Sequence, residues 1–114
     1  MVSQFNAGFD EHGVVVTHHM PDADGVYMKE VLIPAGKELT AHEHTFTHKS
    51  ILASGRAVVR SGGVEALVCG PAVLTIRQGL GHSVRAVTDV VWFCIHASNE
   101  TDPEMIDHTL VKET

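Results

Sequence analysis

The chain has 114 residues, enough for one domain with its own core, yet small enough that a dimer would help it bury surface. Its formal charge is −6, and its eight Lys and Arg are spread without a basic cluster, which argues against nucleic acid as a partner. The longest apolar run, Val90 to Ile95, is far too short to cross a bilayer, and Met-Val-Ser-Gln-Phe-Asn at the N-terminus is not a secretory signal. A cytoplasmic protein with no membrane partner is expected. Its two cysteines, Cys69 and Cys94, are then expected reduced and without a disulfide. Cys69 reads as buried, following the tendency of free cysteine.

In chain order, residues 1–13 show no periodicity and read as a loop or arm. Val14 to His18 is β-branched and reads as a first strand. His18 and His19 have opposite parity on a strand, so they cannot both face one site; both read as solvent or interface histidines. Asp22-Ala23-Asp24-Gly25 is a turn. Val26 to Ile33 is a second strand that puts Tyr27, Lys29, Val31 and Ile33 on one face and Met28, Glu30 and Leu32 on the other. The pattern does not say which face looks inward. If the Tyr27 face does, Lys29 is a charged group at the mouth of a barrel and a candidate substrate contact.

Further strands are expected over 46–53, 57–60 and 64–68, the last two joined by the hairpin turn Ser61-Gly62-Gly63. Gly70-Pro71 breaks the chain before a strand over Ala72 to Ile76. Strands over Val84 to Val87 and Val90 to His96 follow, joined around Thr88-Asp89. Asp102-Pro103 is a helix start signal, so a short helix over about 103–110 is expected. Short strands at roughly ten-residue spacing argue an antiparallel sandwich or barrel.

The chemistry concentrates between Gly36 and Gly55. His42 and His44 are two apart and line one face of a strand, and His48 joins them if the strand resumes in phase. Imidazole is the commonest protein ligand for a transition metal. His82, in Gly79-Leu80-Gly81-His82, offers a fourth ligand after a glycine turn.

Gly36, His42, His44 and Gly55 resemble the first cupin motif, G-(x)5-H-x-H-(x)3-E-(x)6-G, with His48 in place of its Glu. Gly79 and His82 resemble the core of the second, P-x-G-x-x-H. There, Arg77 stands in place of the Pro, Ala86 in place of a trailing Asn, and Gly70 lies one residue further out. The resemblance covers roughly half the chain and implies an all-β cupin, a double-stranded β-helix or jelly-roll barrel of antiparallel strands with a short C-terminal helix. It places the barrel at about 26–97, an N-terminal arm or strand at 1–20 and a tail at 98–114.

The same resemblance implies one divalent transition metal on His42, His44, His48 and His82. Manganese and iron rank ahead of nickel, zinc and copper; a set of His42, His44 and His82 alone is the alternative. Four neutral imidazoles leave the ion its full charge and make it a strong Lewis acid. Octahedral geometry leaves two positions for substrate and dioxygen, whereas a closed tetrahedral site would be structural, and the sequence is compatible with both. Because the imidazoles must be neutral to bind, metal release is expected as pH falls through about 6.

Alternation puts Trp92, Cys94 and His96 on one face of the last strand and Val91, Phe93 and Ile95 on the other. In cupins the strand after the last ligand contributes side chains above the metal. By that likeness Trp92 and Lys29 line a substrate pocket, while His96, as general base, and Cys94 are catalytic candidates. The apolar Val91 face needs cover, in a second layer or a dimer contact.

The function expected is a metal-dependent, dioxygenase-like oxidoreductase acting on a small organic molecule, in a homodimer. The alternatives are a non-enzymatic metal- and ligand-binding cupin, and a metal-assisted isomerase, lyase or hydrolase with His96 or Lys29 as base. Oxygen consumption marks the first, binding without product the second, and product without oxygen the third.

Overall fold

A computed structural model describes residues 5–9, 13–41, 48–77 and 81–97, with residues 5–9, 40 and 41 described by backbone alone. It contains ten strands: β1 (Phe5–Phe9), β2 (Val15–His19), β3 (Val26–Ile33), β4 (Glu38–Ala41), β5 (His48–Ser54), β6 (Arg56–Ser61), β7 (Val64–Cys69), β8 (Ala72–Ile76), β9 (His82–Ala86) and β10 (Val90–Ala97). They form a six-stranded sheet, β1-β2-β3-β10-β5-β8, and a four-stranded sheet, β4-β9-β6-β7. Every pairing is antiparallel. The expected C-terminal helix lies outside the described residues.

The two sheets pack inner face to inner face. Apolar residues alternate inward along each strand, as a half-buried strand requires. Val14, Val31, Ile33, Leu52, Val90 and Trp92 from the larger sheet meet Ala57, Val59, Val84 and Ala86 from the smaller in one buried cluster. One end of this interior is purely apolar, at Val14, Ile33, Val90, Ala57 and Ala86. The other end carries the polar groups.

Turns at the apolar end are tied by local chemistry. Asp89 accepts the Ala35 N–H on its carboxylate at 2.9 Å, and the Thr88 hydroxyl accepts the Arg56 N–H at 2.9 Å. Gly36 donates to the Ala86 carbonyl at 2.8 Å and Gly70 to the Gly55 carbonyl at 2.9 Å. Gly55 has φ +93, and a Cβ there would collide with the Asp89 carbonyl oxygen, so the position requires glycine. The β6–β7 hairpin turns on Gly62 and Gly63, at φ 58 and 80, the doubly left-handed geometry whose twist matches its strands.

Two expectations fail. Residues 1–13 are not wholly a loop or arm, because Phe5–Phe9 pairs with Val15–His19 at the sheet edge. Phe5, Ala7 and Phe9 do alternate with Asn6 and Gly8, but five residues that include a glycine make a weak strand signal. Cys69 is exposed rather than buried: it ends β7, an edge strand whose residues are nearly all exposed, and position at the edge overrides the burial tendency of its type.

Candidate functional site

The registers fix which side chains share the interior. Across the larger sheet one inward row runs His18, Lys29, Cys94, Ser50, Leu74. Deeper lies the row Val16, Val31, Trp92, Leu52, Ala72. Nearer the open end are Tyr27 and His96, opposite each other, and His48, opposite Ile76. The Tyr27 face of β3 thus looks inward, and Lys29 is half-buried on it.

His48 opens β5 and His82 opens β9; they are 4% and 5% exposed. His82 faces Ala41 across the β4–β9 ladder. β4 ends at Ala41 and β5 begins at His48. His42 and His44 themselves lie outside the described residues. Among the described residues no group of three His, Cys, Asp or Glu side chains is gathered closely enough to hold a metal.

The His82 ring stacks near Trp92, with centroids 6.5 Å apart and planes 26° apart, so the smaller sheet reaches across to the larger one. Trp92 is fully buried, and its Nε1 has no hydrogen-bond partner among the described residues. The Ser50 hydroxyl lies 3.5 Å from His48 Nε2 and 3.7 Å from the Cys94 sulfur; Cys94 is buried and is not in a disulfide. A cleft of about 290 Å³, lined by Arg60, Ser61, Gly62, Gly63, Gly81, His82 and Ser83, opens beside His82.

His18 corrects its expected place at the surface. It faces inward, shares a 2.6 Å hydrogen bond with the Tyr27 hydroxyl and stacks on that ring at 5.9 Å. His96 meets the other side of Tyr27 edge-on at 5.1 Å. Its Nδ1 donates to the Ala97 carbonyl at 2.8 Å. A carbonyl only accepts, so Nδ1 carries the proton and the neutral ring keeps its lone pair on Nε2. His19 faces outward, 2.8 Å from Glu30. Tyr27, Ser50 and His18 are the site-facing polar residues that sequence reasoning did not assign a role. The only sequence signal for His18 was its shared parity with Val14 and Val16.

The buried donor set fits a borderline divalent ion. His48 and His82 are two imidazoles buried at one end of the interior, and neutral imidazole is a metal-ligating state. No acidic side chain among the described residues faces inward: Asp22, Asp24, Glu38, Glu65 and Asp89 are exposed and Glu30 lies on the outer face.

Comparison with known proteins agrees with this architecture. No family model and no curated protein matches the chain, but solved structures do. A cupin-2 domain protein from Rhodospirillum rubrum superposes with TM-score 0.67 at 18% identity, covering 88% of this chain and 71% of that one. A cupin superfamily protein from Desulfitobacterium hafniense gives 0.66 at 14% identity, covering 79% and 82%. Salicylate 1,2-dioxygenase from Pseudoaminobacter salicylatoxidans gives 0.66 at 13% identity, covering 73% of this chain but 26% of that longer one. The chain has the cupin fold.

Proposed function

We propose that this protein is a metal-dependent cupin oxidoreductase of the dioxygenase type, acting on a small organic molecule, with His42, His44, His48 and His82 as the metal ligands. The observation that carries this reading is the burial of His48 and His82 at one end of the interior, with His82 paired to Ala41, the residue before His42 in the sequence. A divalent ion held there, manganese or iron first, supplies Lewis acidity and coordination positions for substrate and dioxygen. The likeness in fold to a dioxygenase supports the reaction class.

The chain's own residues supply the rest. Trp92, Leu52 and Val31 exclude water and pack the apolar part of a substrate. Lys29 and the Tyr27–His18 pair offer hydrogen-bond donors that orient it. His96 presents its Nε2 lone pair as a proton acceptor, held in that tautomer by the Ala97 carbonyl. Cys94, opposite Lys29, lies within reach of the same space.

The test is oxygen uptake by iron- and manganese-loaded protein against a panel of small aromatic and aliphatic acids and diols. Substrate-dependent uptake, lost in His82→Ala, supports the reading. Product without oxygen consumption would instead support a metal-assisted isomerase or lyase using the His96 base, and saturable binding without product would support a non-enzymatic binding cupin.

A further inference from the structure

We propose that the cleft beside His82 is the passage by which small molecules reach the His82 ring, and that Ser61 sets the width it admits. This rests on the oxidoreductase reading only in that the passage is then the substrate's approach to the metal ion. The cleft, about 290 Å³, lies between the tip of the β6–β7 hairpin and the start of β9. Ser61 pairs with His82 across the β6–β9 ladder, and Arg60 with Ser83. Successive residues of a strand face opposite sides, so Ser61 and His82 point inward with Val59 and Val84, whereas Arg60 and Ser83 point outward. All four of Arg60, Ser61, His82 and Ser83 line the cleft, which therefore runs over the end of the smaller sheet from its outer side to its inner one. Its inner wall is the His82 ring, and behind that ring stands Trp92, fully buried. One step deeper, Val59 and Val84 pack into the core and close the way toward the apolar end.

The walls decide what selects. At the hairpin tip a Cβ added to Gly63 would meet nothing within 4 Å, so the mouth is open on that side. Arg60 is engaged with Glu65 through hydrogen bonds of 2.6 and 3.1 Å, which offset its charge and hold it on the outer face. Selection by charge is therefore weak and selection by size remains. Directly opposed residues of an antiparallel pair have Cβ atoms roughly 4.5–5.5 Å apart, so a molecule reaching the His82 ring from the cleft passes beside Ser61. The volume sits at the small end for ligand pockets, about 300–1,000 Å³, and a larger side chain at position 61 takes up much of it. Room exists for such a side chain, because Val64, on the other side of Ser61, is 69% exposed.

The test compares Ser61→Phe and Ser61→Ala with the wild type. In chelator-stripped protein, the rate at which diethyl pyrocarbonate modifies His82 is followed by peptide mass spectrometry; in manganese-loaded protein, metal release to excess dipicolinate is timed. Ser61→Phe should slow both at least tenfold with melting temperature and metal content close to wild type, and Ser61→Ala should be at least as fast as wild type. If Ser61→Phe does not fold, Ser61→Leu carries the same comparison. A wild-type His82 inert to the reagent, wild-type rates in the folded bulky variant, or equal slowing by Ser61→Ala would overturn the proposal. Ser61-dependent modification of His82 in a protein that never takes up metal would leave the passage standing while removing the oxidoreductase reading. Metal-dependent oxygen uptake with both rates indifferent to Ser61→Phe would do the reverse.

Discussion

His18 and His19 are adjacent in sequence and lie on opposite sides of one strand. His18 bonds Tyr27 on the inner face, and His19 pairs with Glu30 on the outer one. His19→Ala should therefore leave metal content unchanged, whereas His82→Ala should abolish it; elemental analysis of both variants checks this. At the surface, Arg60 and Glu65 meet at 2.6 Å. The hydrogen bond and charge of Arg60 hold the Glu65 carboxyl below its ordinary range, and Glu65 in turn raises Arg60. A depressed carboxyl contributes stability that is present at neutral pH and fades as pH falls through the acid range. Both side chains are exposed and solvent screens the pair, so Glu65→Gln should scarcely move Tm at pH 7 and should slightly reduce the loss of stability on acidification. Parity along a strand was legible in the sequence and grouped Trp92, Cys94 and His96 correctly on one side. Absolute facing was not legible, because it depends on the β2–β3–β10 register. That is why Lys29 could only be placed conditionally and His18 was assigned to the surface.

At the level of elements, two glycines in left-handed conformations separate backbone strain from steric collision. Gly63 has φ +80 with open space around it, while Gly55, at φ +93, abuts the Asp89 carbonyl. Gly63→Ala should cost about 1–2 kcal/mol, the conformational penalty alone. Gly55→Ala should cost about 3 kcal/mol or more, since it adds backbone displacement. Thermal melts of the two variants should show that order, and equal melting temperatures would contradict the assigned collision. Strands announced by their turns were readable: β8 has the bounds expected from Gly70-Pro71, and the β6–β7 hairpin follows from Gly62-Gly63. Elements without such punctuation were harder. β1 is a five-residue strand whose alternation of Phe5, Ala7 and Phe9 is weakened by Gly8, and β4 has only four residues.

For the whole molecule, the outer face of the larger sheet carries apolar rows beside the outward His19–Glu30 pair. Val15, Leu32 and Val91 lie in one row, and Phe93, Ile51 and Val73 in the next. Leu32 is 38% exposed and Val73 70%. A second copy of this chain packed on that face, in a two-fold arrangement, would cover it. Light scattering should give twice the chain mass, and Val73→Lys should shift it toward monomer; a wild-type monomer would mean that the face is not a dimer contact.

The most direct test of the metal centre is elemental analysis of protein purified without added metal, beside His42→Ala and His82→Ala. The four-histidine site predicts close to one transition metal ion per chain in the wild type, manganese or iron first, and nearly none in either variant. Full metal in His82→Ala would contradict the assignment of His82, and a wild type that takes up no metal even when manganese or iron is supplied would contradict the metal centre itself.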